Sequence, residues 1–423
     1  MLRVPWERHV LENGLRVILA PDTAVPVVAV NLWYGVGSRN EGAGKTGFAH
    51  LFEHMMFQGS AHVPKNRHFE LVERAGGSSN ATTWFDRTNY YETLPSHHLE
   101  LGLWLEADRM GWMLDAMTAD KLENQREVVK NERRQRYDNQ PYGDWDERLQ
   151  ALAYPATHPY HHPVIGSMAD IDGATLEDVS AFFRTFYVPN NAVLTIAGDF
   201  HGEAALEAVR RYFGEIERGS PVPPLPGEPE LPPVLGATVR DDVVSRVPLP
   251  RVIAAFRIPS YASDDFYTAE VAQGVLGTGR ASRLYRRLVR ERRVAKDVVT
   301  YAYPILTGAS MMVVWATGYP GTSLESLEGA LFEEVESLSG VTDAEVARAV
   351  ALAETDLVRS LERVGDRADI LSMLELYFGD PERLNREVDR MRAVTAAQVR
   401  EFAGRYLGSD NRAVVTYLPE EGA

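Results

Sequence analysis

The 423-residue chain contains no cysteine, which excludes disulfide staples and thiolate metal sites and fits a reducing compartment. It has no apolar run approaching the roughly 18 residues of a membrane span. Its start, Met1-Leu2-Arg3-Val4-Pro5-Trp6-Glu7-Arg8, lacks the apolar stretch of a secretion signal. A cytoplasmic protein is therefore expected. Positive charge is in short supply: 44 Lys and Arg face 60 Asp and Glu, a formal charge of −16. That balance opposes binding to nucleic acid or to anionic membrane, both of which require clustered cations. Acidic walls would suit cationic peptides, although plain solubility explains the charge as well. The 45% hydrophobic and 25% charged content is that of a folded protein, and the length allows two to four domains with their own cores.

Against these absences stands one dense string, His50-Leu51-Phe52-Glu53-His54. On a helix, residues four apart share a face, so both imidazoles can reach one cation while Glu53 sits beside them. Zinc accepts imidazole and carboxylate ligands in a tetrahedral shell, and a catalytic site keeps one position for water, so a third protein ligand must come from elsewhere. Water bound there has a pKa near 7, and a neighbouring carboxylate can take its proton during attack on a carbonyl. Glu53 is the candidate base, and one Zn2+ per chain is expected.

H-x-x-E-H is the inverted zincin signature. Through it the chain resembles the pitrilysin family of zinc metallopeptidases, which includes insulin-degrading enzyme, mitochondrial processing peptidase and short two-unit bacterial relatives. In that family the third ligand is a Glu downstream, in a helix of form E-R-E-V-V-x-x-E. The corresponding stretch here is Gln125-Arg126-Glu127-Val128-Val129-Lys130-Asn131-Glu132, so the resemblance assigns the ligand's place to Glu132. Helical geometry agrees, since Glu127 would point roughly 140° away from Glu132 around the axis. Gln125 shares the face of Glu132 and stands where many members carry a second Glu. It is expected beside the ligands, with one negative charge fewer than in those relatives.

The resemblance also implies the fold: α+β, with two homologous units, each a mostly antiparallel sheet with helices packed on one face. The text of the chain fits. Asn13-Gly14 reads as a two-residue hairpin turn, Val27–Tyr34 as a strand, and 66–75 as a helix stopped by Gly76-Gly77. Residues 79–84 and 88–93 read as paired strands. In relatives the strand from Asn80 to Thr83 is an exposed edge beside the zinc, to which a peptide adds by backbone hydrogen bonds, with Asn80, Ala81 and Thr82 aligning it. The bland alternative is an interior strand. His158, His161 and His162 lie in a proline-flanked loop and are expected to be structural or pocket-lining. A Pro-rich linker occupies 218–236. On its two sides Ala174-Thr175-Leu176-Glu177-Asp178 and Val394-Thr395-Ala396-Ala397-Gln398 open similar capped helices running into strands. The expected division is therefore 1–217 with the zinc site, the linker, and 237–423 as a homologous unit without metal, because its counterpart helix around 268–276 has no His.

Many family members use an Arg and a Tyr in the second copy to hold substrate. Here Val289 and Lys296 occupy those places. The resemblance thus implies a heterodimer, in which a homologous subunit supplies Arg and Tyr and closes a chamber around unfolded or extended peptides. A homodimer using Arg290 or Arg292 with Tyr301 or Tyr303 is the competing arrangement. Beside the zinc endopeptidase stand two alternatives: a non-catalytic or presequence-binding core subunit of a larger complex, and hydrolysis of a non-peptide amide or ester.

Overall fold

The computed structural model describes residues 3–420. Strands β1 (Glu7–Val10) and β2 (Arg16–Pro21) pair as the hairpin expected around Asn13-Gly14. The turn is one residue longer than the sequence suggested. Leu11 N–H reaches Leu15 O at 2.9 Å, leaving a three-residue loop in which Gly14 takes φ +90°, a conformation glycine enters at little cost. Asn13 turns its amide inward instead, donating to Phe213 O at 2.8 Å and Ile216 O at 2.9 Å.

The remaining strands are β3 (Val27–Tyr34), β4 (Ser78–Thr83), β5 (Thr88–Pro95), β6 (Ala192–Gly198), β7 (Ala237–Ser245), β8 (Arg251–Pro259), β9 (Ala295–Ala302), β10 (Ala309–Gly318) and β11 (Asn411–Pro419). They form two sheets, ordered β1-β2-β6-β3-β5-β4 and β7-β11-β8-β10-β9. Each contains a parallel pair, β2 with β6 and β7 with β11, followed by three antiparallel pairings toward one edge. The repeated helix starts carry the same device: Thr175 and Asp178, and Thr395 and Gln398, each form a reciprocal capping box. The α+β class and the duplicated plan both hold. No helix or strand lies between Phe213 and Ala237, and no helix among the described residues is long and apolar enough to cross a membrane.

The compact units do not follow the sequence halves. One comprises residues up to 132, 163–226 and 358–385; the other comprises 133–162, 227–357 and 386 onward. The stretches 1–217 and 237–423 thus each contribute to both bodies. Each body has, besides the helices of its own core, one helix from the other half of the chain. In the first unit β3 is buried along nearly its whole length, because helix Val364–Phe378 covers the face opposite helix Leu99–Trp112. Polar contacts anchor it: Asp369 Oδ1 accepts from Asn31, Trp33 and Asn89 at 2.9–3.1 Å, and Glu375 pairs with Arg8 at 2.9 Å. In the second unit helix Trp145–Ala153 does the same. Trp145 packs on Trp315 with ring centres 5.5 Å apart, Arg148 pairs with Asp241, and Ala153 O accepts from Arg257.

Between β5 and helix Leu99–Trp112 lies a buried polar network. Arg109 forks onto Glu106 and lies 3.5 Å from Glu92, while His68 Nε2 sits 3.0 Å from Glu92 Oε1. Its two acids and imidazole are close enough to suggest a cation site, but Arg109 already occupies the cation's role. Burial, with Arg109 nearby, pulls the His68 pKa down to about 3 from 6.5, so the folded protein holds this ring neutral. Between pH 6.5 and about 3 the unfolded chain takes up a proton that the folded one refuses, and stability falls with pH across that window. His68→Gln, which keeps a donor but cannot titrate, should flatten this acid limb in urea unfolding at stepped pH. A slope equal to that of the unmodified protein would refute the assignment.

Candidate metal centre

The motif helix, Phe48–Met55, is set in place from its first turn. Gly47 precedes it with φ +87°, and a Cβ there would stand 2.6 Å from Ile165 O, so only glycine fits. The carboxylate of Glu41 accepts the N–H groups of Gly47 at 2.8 Å and Ala49 at 2.7 Å, placing an acid where the helix N-terminus is electropositive. The apolar side, Phe48, Leu51, Phe52 and Met55, is buried. His50 and His54 face away from it on one side, as their spacing predicts, with ring centres 4.9 Å apart.

Helix Ala119–Arg133 brings the third group, its polypeptide passing directly into a π-type turn, Arg134–Asp138. Glu132 Oε2 lies 3.3 Å from His54 Nε2 and 3.7 Å from His50 Nε2, and all three side chains are half-buried. Ligands at 2.0–2.2 Å from a tetrahedral zinc stand roughly 3.4 Å apart, so two imidazoles and a carboxylate at these separations fit such an ion. Glu127 points elsewhere, exposed and paired with Lys130 at 2.8 Å. Gln125 is buried on the same helix, but its amide donates to Asn124 at 2.9 Å and makes no hydrogen bond to the three.

Glu53 stands beside this group with its Oε2 accepting from Thr83 Oγ1 at 2.5 Å. Burial raises its pKa above the ordinary carboxylate value; the Thr83 hydroxyl and His54 oppose that rise, while Glu132 adds to it. A carboxylate so placed is positioned for proton transfer to and from a group held by the three side chains. Thr83 was not singled out from sequence, although its parity with Ala81 on one strand was a usable signal.

β4 is the outer strand of the first sheet, which removes the interior-strand alternative. Asn80 Oδ1 accepts from Ala81 N–H at 2.9 Å, and Arg87 Nη1 donates to Thr82 O at 2.8 Å. On the sheet face that Thr82 shares with Asn89 and Tyr91 lies a cavity of about 610 Å³, bordered also by Asn31, Arg87, Val364 and Asp369. The histidine loop is structural: His158 donates its Nε2–H to Pro229 O at 3.1 Å, stacks on Tyr154, and is kept neutral by burial, its pKa near 4. His161 Nδ1 lies 2.8 Å from Tyr154 O. In the second unit Arg292 forks onto Glu333 at 2.7 and 2.8 Å, and the hydroxyls of Tyr301 and Tyr303 face each other at 3.3 Å. Val289 packs against the second core.

Comparison with known proteins matches residues 16–162 to the insulinase model of peptidase family M16 and residues 173–352 to the M16 inactive-domain model. A zinc protease of Helicobacter pylori, PqqE, is 31% identical over 86% of this chain and 82% of its own. A probable mitochondrial-processing peptidase subunit beta of Arabidopsis thaliana is 25% identical over 97% of this chain and 77% of its own. Among solved structures, a protease from Helicobacter pylori superposes with a TM-score of 0.92 at 28% identity, covering 98% of this chain and 100% of that one.

An ion shared by His50, His54 and Glu132 would make metal affinity depend on Glu132 and not on Glu127. Calorimetric titration with Zn2+ should show one ion per chain, at least about tenfold weaker binding in Glu132→Gln, and no change in Glu127→Gln. Equal losses in both variants would exclude Glu132 as a ligand.

Proposed function

This chain belongs to peptidase family M16, and on that premise we propose that it is a zinc endopeptidase acting on unfolded or extended peptides. The observation that carries the proposal is the convergence of His50, His54 and Glu132, their ligand atoms all within 4.8 Å of one another, beside Glu53. The relatives' names as zinc proteases support zinc as the ion. In this reading His50, His54 and Glu132 hold the metal. When bound, zinc supplies Lewis acidity, polarising a carbonyl and making water acidic enough to give up a proton at neutral pH.

Glu53 takes that proton as water attacks the amide carbon, then delivers it to the departing nitrogen. The peptide lies along the free edge of β4 at Asn80, Ala81 and Thr82. Main-chain hydrogen bonds hold it there with little demand on sequence. Its side chains would alternate, one set toward Glu53 and the other over the 610 Å³ cavity. Selection is then by extended conformation and size.

The partner is a homologous subunit supplying the Arg and Tyr that Val289 and Lys296 replace here. Losing one donor to a developing oxyanion typically costs about 2.7–4 kcal/mol in barrier height. Three of the four residues available for a homodimer are engaged, Arg292 with Glu333 and Tyr301 with Tyr303, while Arg290 is exposed. This favours a heterodimer, and the Arabidopsis relative is itself named as one subunit, beta, of a peptidase. We retain 1–217 and 237–423 as the two homologous units joined by the 218–236 linker. The cysteine-free composition supports a cytoplasmic location.

Glu53→Gln should keep its zinc and lose about 10²- to 10⁴-fold in peptide cleavage, measured with and without a co-expressed sister subunit. An unaffected variant, or a wild type that purifies without stoichiometric zinc, would favour the non-catalytic core subunit instead. A single chain cutting as fast as the pair would remove the shared site.

A further inference from the structure

We infer that Thr83 is a positioning residue that ties the base, Glu53, to the strand on which the peptide is laid; the inference rests on the peptidase reading above. Two features of this one residue carry it. Its hydroxyl donates to Glu53 Oε2 at 2.5 Å, and among the described residues no other side chain or backbone group makes a hydrogen bond to that carboxylate. Its main chain, meanwhile, belongs to the free edge.

The register shows why. β4 and β5 pair Thr82 with Asn89 and Thr83 with Thr88, and at the hairpin end Trp84 N–H donates to Arg87 O at 2.9 Å. Hydrogen-bonded and non-hydrogen-bonded pairs alternate along an antiparallel ladder. Trp84, Thr82 and Asn80 therefore point their N–H and C=O groups toward β5, whereas Thr83 and Ala81 point theirs outward. A peptide added to this edge meets the main chain of Thr83, whose side chain already holds the base. Substrate and base share one reference point.

The strand is stiff where this matters. Arg87 donates to both the carbonyl and the hydroxyl of Thr82, and its guanidinium lies 4.8 Å from the centre of the Trp33 ring. Thr83 itself is β-branched, which restricts its first torsion. A free Glu side chain has no such restriction, and an error of about 1 Å in the placement of a reacting group can cost about 10²-fold in rate.

The test compares Thr83→Val, which keeps the shape and removes the donor, with Thr83→Ser, which keeps the donor. On the zinc-loaded protein with its sister subunit, Thr83→Val should lower kcat about 30- to 100-fold with KM and zinc content within about twofold. Thr83→Ser should remain within about fivefold of wild type. Equal kcat in Val and wild type, or equal losses in Val and Ser, overturns the proposal. Crystal structures of substrate-free wild type and Thr83→Val decide it without activity: Glu53 should hold one orientation on Thr83 in the first and spread over several in the second. An unchanged Glu53 in the variant overturns the proposal even if nothing is cleaved. A Glu53 fixed by Thr83 in a protein that cuts no peptide leaves the positioning intact and defeats only the peptidase reading.

Discussion

Two imidazoles from one helical turn must meet a carboxylate from a helix some seventy residues away, and the first unit is organised around that meeting. Two imidazoles and a carboxylate with ligand atoms all within 4.8 Å, Glu132 approaching His54 Nε2 at 3.3 Å, need three side chains aimed at one point. The scaffold must therefore impose that aim. Gly47 and Gly166 do so at the N-terminus of the motif helix, where a Cβ on Gly166 would stand 2.2 Å from Gly47 N. Glu41 holds the same turn from the other side through two backbone N–H groups. Phe52 is pinned by Tyr187 at 4.2 Å. With its start and its apolar side both fixed, the helix has no freedom to rotate His50 and His54 away from Glu132.

The sheet adds a second layer of constraint through buried polar groups. On one face of β5, Glu92 joins Glu106, Arg109 and His68; on the other, Asn89 joins Asn31 and Trp33 at Asp369. Buried polar groups are costly when unpaired and directional when paired. Consecutive strands are thereby locked in register from both sides. Arg109 also lies 4.3 Å from the Tyr90 ring, whose hydroxyl is 3.4 Å from that of Tyr187. The edge strand that carries Thr83 is thus backed by a sheet whose neighbouring strand cannot slide, and a 2.5 Å hydrogen bond to Glu53 becomes a positional statement about the base.

Much of this could be read from the residues because it is local. A five-residue string with helical spacing places His50, Glu53 and His54; an offset of five positions, about 140° around a helix axis, sets Glu132 apart from Glu127; and threonines followed three residues later by Asp or Gln mark the twin helix starts. Where contacts join distant segments, the reading stopped. Nothing near Asp369 in the chain hints that it accepts from Asn31, 338 positions away, or that helix 364–378 lies on the first sheet. The turn at Asn13-Gly14 came out one residue long because Asn13 is drawn to two carbonyls near residue 215, a long-range competitor to a local preference. Gln125, expected beside the ligands, gives its amide N–H to Asn124 instead.

The exchange of helices between the halves explains why the second unit persists without a metal site. Its motif-helix counterpart, Asp265–Gly277, buries Val271, Val275 and Leu276 in an apolar core and carries no imidazole, so it has no ion to hold. Yet helix 364–378, encoded in that half, supplies the acceptor for three side-chain N–H donors in the first sheet and buries the face of β3. Removing the second half would leave Asn31, Trp33 and Asn89, all buried, without that acceptor, at a cost of about 1–3 kcal/mol for each group left unpaired. The first half reciprocates through helix 145–153, whose Trp145 caps Trp315 and Tyr301. A duplicated chain that has traded helices in this way cannot shed its inert copy.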